Sequence, residues 1–392
     1  MKIKQMSVLV LMATVILAVS QHAPLVFASK NSEASLTFMV YLDADNNLDE
    51  YGQINLEQMK EGLAPNAAVN VIVLMDRLNL PAYIYEVTHE EIRIVQSLGE
   101  VDMGIQQTLS YFVTFALKKY PADYFFLDLW NHGGGYRGVC WDESSDNHLS
   151  PHDVEMAVAS AEIQTKKFVH VIGFDACLMG MIEICYELKD VTNIVIGSEM
   201  LIPGLGWPYT QLMSYLSNNP QVDPYTLSTY LVNEYAAYYP KYTVQLSAIN
   251  ETFIPEMATS LNNFAYALMT NTDAYRGVIA GARSDAQQKF ILGTWGSYFY
   301  IDLYKFTKLI GQRASDENIA ELASNLMSKL DLAVFAEAHT AYVGNLDAKQ
   351  FGLTINFPPN IQTYNSNYEK YVPCFVQETL WWSFLMTYYE AS

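Results

Sequence analysis

Between residues 36 and 197 the chain repeats one alternation, a short continuous run of apolar, β-branched or aromatic residues followed by a stretch with helical spacing. Residues 36–43 and 69–76 are two such runs, each closing on a carboxylate, and residues 124–130, 168–174 and 193–196 are others. Between them, residues 103–119 predict a helix ended by Tyr120-Pro121. Ser150-Pro151 reads as an N-cap with proline at the first helical position, opening a helix to about residue 162, and residues 178–188 predict another. Residues 83–87 and 91–95 predict a hairpin. Runs this continuous cannot leave one face of a sheet in water. They require helices on both faces, which means an α/β fold with three layers around a mainly parallel sheet.

After Trp207 the pattern lengthens, with helical stretches at 224–239 and 253–270 and single strands at 242–249 and 351–357. The predicted division is therefore a signal segment over residues 1–28, an α/β domain over 29–210, and a helix-rich region with a few strands over 211–392, packed on that domain. The signal segment is read from Lys2 and Lys4, the apolar stretch 6–19 and Val26-Phe27-Ala28. The stretch falls short of the roughly 20 residues of a membrane span, so export with cleavage after Ala28 is expected over an uncleaved anchor. The location expected is secreted or extracytoplasmic, with no membrane attachment after the segment is removed. A composition 51% hydrophobic and 16% charged excludes disorder, and a net charge of −20 argues against nucleic-acid partners while favouring cationic ones. Cys140, Cys177, Cys185 and Cys374 follow no zinc spacing and no CxxC, so no structural metal is expected.

In an open α/β sheet reactive groups gather beyond the carboxyl ends of the strands. Two such ends stand out. Trp130 runs into Asn131-His132-Gly133-Gly134-Gly135, where glycines let the backbone turn tightly beside a histidine. Gly173-Phe174-Asp175-Ala176-Cys177 places a thiol between a strand and the expected helix at 178–188. A right-handed crossover would set these ends side by side. A thiol at a helix N-terminus beside an imidazole suits nucleophilic catalysis, the helix end and imidazolium drawing the thiol toward thiolate. A buried structural cysteine and a satisfied loop histidine are the plainer roles for each residue taken singly.

The blocks Asn131-His132-Gly133-Gly134, Phe174-Asp175-Ala176-Cys177-Leu178-Met179-Gly180, Gly197-Ser198-Glu199 and Pro203-Gly204-Leu205-Gly206-Trp207-Pro208-Tyr209, preceded by Asp43-Ala44-Asp45-Asn46-Asn47-Leu48, resemble the clostripain family of cysteine peptidases. The resemblance implies a caspase-like αβα sandwich and a Cys–His dyad of Cys177 and His132. It also implies an oxyanion hole from the backbone N–H groups of Gly133 and Cys177, and hydrolysis of peptide bonds after Arg or Lys through an acyl-enzyme. Asp175 then falls in the S1 pocket, where a buried carboxylate would favour a cationic guest; as the residue before a helix it could also cap that helix. Trp207 as a cleft wall and Glu199 as added charge near S1 complete the expected substrate-binding set, against structural roles for both.

The expected partners are peptides or proteins with Arg or Lys at the cleavage site. No cofactor is expected to be required. Calcium serves some relatives, and Asp43, Asp45, Asn47 and Asp49 offer alternating oxygens, but Leu48 and Ile54 break the EF-hand pattern and a solvated loop is the expectation. Residues 138–165 hold no Lys or Arg, so a maturation cut there has no basic site. The rival functions are an idle caspase-like binding module and a transpeptidase using the same dyad.

Overall fold

The computed structural model describes residues 34–287, 299–340 and 352–390; the expected signal segment and residue 351 of the expected strand 351–357 lie outside the described residues. In chain order the strands are β1 (Ala34–Ala44), β2 (Val69–Arg77), β3 (Leu80–Val87), β4 (Ile92–Gly99), β5 (Ala122–Trp130), β6 (Val139–Asp142), β7 (Asn147–Leu149), β8 (Val171–Asp175), β9 (Ile194–Gly197), β10 (Val244–Asn250), β11 (Tyr300–Asp302), β12 (Val334–Thr340) and β13 (Thr354–Asn356). Nine of them form one sheet in the order β12-β10-β9-β8-β5-β1-β2-β3-β4. The five central strands, β9, β8, β5, β1 and β2, are parallel, and antiparallel pairs close both edges. This is the three-layer α/β architecture that the apolar runs require.

The period of two along β1 shows why both faces are covered. Phe38, Val40 and Leu42 belong to one apolar core, which includes residues of α1 (Asp49–Gly62). Met39 and Tyr41 belong to the other, with Leu109 and Phe112 of α2 (Gln106–Lys119) and Val154 and Val158 of α3 (Pro151–Thr165). Each large side chain so buried contributes about 1.5–3 kcal/mol. α3 opens as expected. Ser150 Oγ accepts from the Asp153 N–H at 3.1 Å, and the Asp153 carboxylate accepts from the Ser150 N–H at 3.0 Å, a complete capping box.

One expected helix start is wrong. The helix after β8, α4 (Ile182–Leu188), begins four residues later than the expected Leu178. The Leu178 N–H donates to Met200 O and the Gly180 N–H to Ser198 O, so this stretch is zipped to a neighbouring loop instead of coiling. Leu178 itself takes φ +66°, a left-handed conformation rare for a bulky residue.

The sheet does not stop at residue 210. After α5 (Tyr209–Asn218) and α6 (Pro224–Tyr238), β10 pairs with β9, and β12 with β10. The helices α7 (Ile254–Thr270), α8 (Thr272–Ala286), α9 (Leu303–Arg313) and α10 (Glu317–Ala333) bring the chain to β12. After β13 come α11 (Tyr368–Tyr371), α12 (Pro373–Glu378) and α13 (Trp381–Glu390). The Thr354 N–H donates to Gly180 O at 2.9 Å, so the C-terminal part reaches the loop that carries Cys177. No helix among the described residues is long and apolar enough to cross a membrane.

Candidate active site

β5 and β8 are parallel neighbours with Trp130 opposite Asp175, which sets the loops bearing His132 and Cys177 side by side at the carboxyl edge. The strand order turns back on itself between β1 and β5, and such switch points open a crevice in α/β sheets. A cleft of about 630 Å³ lies here, lined by residues including His132, Gly133, Asp175, Cys177 and Ile202. Gly133 has to be glycine: a Cβ there would stand 2.1 Å from Cys177 O and 2.8 Å from Cys177 N. The two loops therefore touch backbone to backbone.

His132 Nε2 lies 2.7 Å from Asn47 Oδ1. An amide oxygen only accepts, so Nε2 carries the hydrogen and Nδ1 is the basic nitrogen. Burial holds the imidazole below its ordinary pKa, so it rests neutral at pH 7. Asn131 works on the frame instead. Its Nδ2 donates to Asp43 O at 2.6 Å and its Oδ1 accepts from the Trp141 N–H at 3.0 Å, tying β1, β5 and the hairpin β6–β7 together.

Cys177 does not stand at a helix N-terminus, because α4 starts five residues later. Its thiol is pushed up to about 11, first by burial; the Ile202 N–H, donating to Sγ at 3.2 Å, pulls down, and the Asp175 carboxylate pushes up. The resting pair is therefore a neutral thiol and a neutral imidazole, and the expected helix-stabilised thiolate is corrected.

Asp175 is the last residue of β8 and caps no helix. Its Oδ2 accepts from the Trp207 N–H at 2.8 Å and from Tyr209 Oη at 3.0 Å. Tyr209 Oη also lies 2.6 Å from Asp128 Oδ2, and because its one hydrogen serves Asp175 it accepts there from the protonated Asp128 carboxyl; the Asp175 N–H donates to Asp128 Oδ1 at 3.3 Å. Asp175 Oδ1 is buried without a hydrogen-bond partner. Burial pushes the carboxyl up to about 7 against the two hydrogen bonds, and holds Asp128 well above the carboxylate range beside it. Gly206 completes this wall at φ +64°, and a Cβ on it would meet Asp175 Oδ2 at 2.2 Å.

Two expected substrate contacts do not face the cleft. Glu199 is fully buried, with its N–H donating to Gln245 Oε1 at 2.8 Å. The Trp207 ring is fully buried, edge-on to Phe126 at 6.3 Å between centroids; only its backbone serves the site, through Asp175. Both lie in a motif loop near Cys177, but strand and turn geometry point the side chains into the core. The expected solvated loop at Asp43–Asp49 is corrected too. Asp43 and Asp45 are fully buried, as are Asp76 and, all but fully, Asp142. Asp49 instead pairs with Arg77 at 2.7 Å. Burial and neighbouring carboxylates hold Asp43 well above its usual range, and burial with Glu100 pushes Asp76 up to about 8. Sequence reasoning missed Asn47 as a partner of the histidine, and missed Asp128 and Tyr209. The one available signal was Asp128, a lone acid in the apolar run of β5.

The sequence pattern of the clostripain family of C11 peptidases matches residues 40–388. Clostripain of Hathewaya histolytica is 24% identical over 417 residues, covering 87% of this chain and 78% of the relative. The fold is similar to an inactive zymogen C11 protease from Parabacteroides distasonis (TM-score 0.68, 20% identity, 90% of this chain and 99% of that one). It is equally similar to a secreted C11 cysteine protease from Bacteroides thetaiotaomicron solved with an irreversible peptide inhibitor (TM-score 0.68, 19% identity, again 90% and 99%). With the family pattern spanning nearly the whole α/β core and both cleft loops, the chain belongs to the clostripain family of cysteine peptidases and has its caspase-like fold.

Proposed function

We propose that the protein is an exported endopeptidase that cleaves after Arg or Lys, with Cys177 as nucleophile, His132 as proton carrier and Asp175 as the S1 anion. The observation that carries this reading is Asp175 Oδ1, a buried and unpartnered carboxylate oxygen in the wall of the cleft that Cys177 and His132 line. A neutral P1 side chain would leave that oxygen unpaired, whereas a guanidinium or ammonium satisfies it. A cation there also cancels the field by which Asp175 holds the thiol protonated, so the correct substrate favours its own nucleophile.

In the reaction Cys177 Sγ attacks the scissile carbonyl carbon and its proton passes to His132 Nδ1. The backbone N–H groups of Gly133 and Cys177 stabilise the oxyanion, a contribution of about 3–4 kcal/mol for each strong donor. Collapse expels the amine, which takes the proton from the imidazolium, and leaves an acyl-enzyme. Water then attacks, giving its proton to His132, and the thiol is restored. Export is supported by the basic and apolar order of residues 2–28 and by the secreted character of the Bacteroides relative.

For the cofactor question, Asp43 Oδ2, Asp45 Oδ1 and Asp76 Oδ2 are buried without hydrogen-bond partners, but they do not converge within 4.8 Å of one another as a shared calcium ion would require, so calcium is not assigned to them.

The test is hydrolysis of matched fluorogenic peptides with Arg, Lys, Asp or Leu before the scissile bond. Arg and Lys peptides are expected to be cleaved and Cys177→Ala to abolish cleavage with an unchanged melting temperature. Cleavage surviving in that variant removes the nucleophile, and a preference for Asp or Leu removes the S1 reading.

A further inference from the structure

Away from the cleft, three helices far apart in the chain bring a nitrogen, an oxygen and a sulfur together. His152 Nδ1 on α3, a carboxylate oxygen of Glu187 on α4 and Cys374 Sγ on α12 all lie within 4.8 Å of one another, the one such group of three among the described residues. His152 Nδ1 and Glu187 Oε2 are 3.4 Å apart and both are shut off from solvent, His152 Nδ1 without a hydrogen-bond partner and the Glu187 carboxylate hydrogen-bonded by the Cys374 thiol. The Glu187 side chain is 0% exposed, and its other oxygen is already used by the Phe375 N–H at 2.9 Å. A buried ring nitrogen left unsatisfied beside a buried carboxylate and a thiol is a cost that folded proteins avoid.

We infer that His152, Glu187 and Cys374 bind one Zn²⁺ ion that clamps the C-terminal helix α12 to α3 and α4. Tetrahedral zinc, with bonds of about 2.0–2.3 Å, holds its ligand atoms roughly 3.3–3.8 Å apart, a spacing that the His152–Glu187 pair already has. The mixed donor set selects a borderline metal over calcium or magnesium, which take oxygen alone. Glu155, one helical turn on with Oε2 at 3.7 Å from His152 Nδ1, stands within reach of the fourth position, which water can otherwise fill. The plain alternative is a His152–Glu187 ion pair with a bystander thiol. Glu187 is the second-last residue of α4, so the ion would tie the far end of that helix to α3 and α12.

The experiment uses the full chain carrying Cys177→Ala, so that the cleft thiol cannot report. Co²⁺ titration is expected to give one site with visible d–d bands and a near-ultraviolet thiolate-to-cobalt band. Cys374→Ser, at a half-buried position, and His152→Gln should each weaken Zn²⁺ binding by at least about 100-fold, with the metal-free melting temperature unchanged. Zn²⁺ should raise the melting temperature of the parent and not of the variants. Equal Zn²⁺ binding in parent and Cys374→Ser, or cobalt binding without a thiolate band, overturns the proposal.

Discussion

At the scale of single residues, the groups proposed to carry the chemistry were legible where they stand in strand-end loops, and illegible where a distant segment supplies them. His132, Cys177 and Asp175 sit directly beyond apolar runs, and strand ends gather reactive groups. Asn47 reaches His132 from 85 positions away, which no spacing rule reveals. Asp175→Asn keeps an acceptor for the Trp207 N–H but removes the charge; kcat/KM for Arg and Lys peptides should fall about 10²- to 10³-fold, with Leu peptides much less affected. The wild-type kcat/KM for Arg peptides should decline as pH falls below about 7, because the protonated Asp175 no longer attracts the cation. That decline should be absent in Asp175→Asn, whose alkylation by iodoacetamide should also be faster. Asn47 acts by positioning. Asn47→Ala should lower kcat about 10- to 100-fold, and Asn47→Asp, by favouring the imidazolium, should move the acid limb of the pH profile to higher pH. A merely structural asparagine would leave that limb in place.

At the scale of elements, strands and helices followed from period, and errors arose where the backbone had another partner. The apolar spacing through residues 178–188 is helical, yet Leu178 and Gly180 give their N–H groups to residues 200 and 198, so α4 loses its first turn. The same zipper makes the loop before Trp207 the third wall of the cleft. Gly206 is its tightest point. Gly206→Ala combines a left-handed φ with a clash on Asp175 and should cost about 1–3 kcal/mol in urea unfolding, together with most of the activity on Arg peptides. Gly99→Ala is the control. Its φ is +75° but nothing lies within 4 Å of the new Cβ, so it should cost about 1 kcal/mol and leave activity intact.

At the scale of the whole molecule, the excess of acid is partly inside. Burial pushes Asp76 up to about 8 and Asp175, Glu162 and Glu183 up to about 7. Their unfolded values lie near 3.8 and 4.5, so across the interval the native chain holds protons that the unfolded chain has released, and stability falls as pH rises from about 4 to 8. Burial lowers His132, His148 and His170, which act oppositely, costing stability as pH falls through about 6.5. Above about pH 7 the carboxyl effect outweighs that of the histidines, and calorimetry should show the melting temperature falling between about pH 7 and 8. By itself the sequence determined the layers, the parallel centre of the sheet and the edge on which the chemistry gathers. Each of these is written in local period and in residues that end strands. Only the tertiary structure decided which way the motif residues point: Asp175 into the cleft, Trp207 and Glu199 into the core, Asp43 and Asp45 away from water. It also decided that the sheet runs on beyond residue 210 through β10 and β12. Those outcomes depend on packing between segments tens to hundreds of residues apart, and a local pattern carries no record of its distant partner.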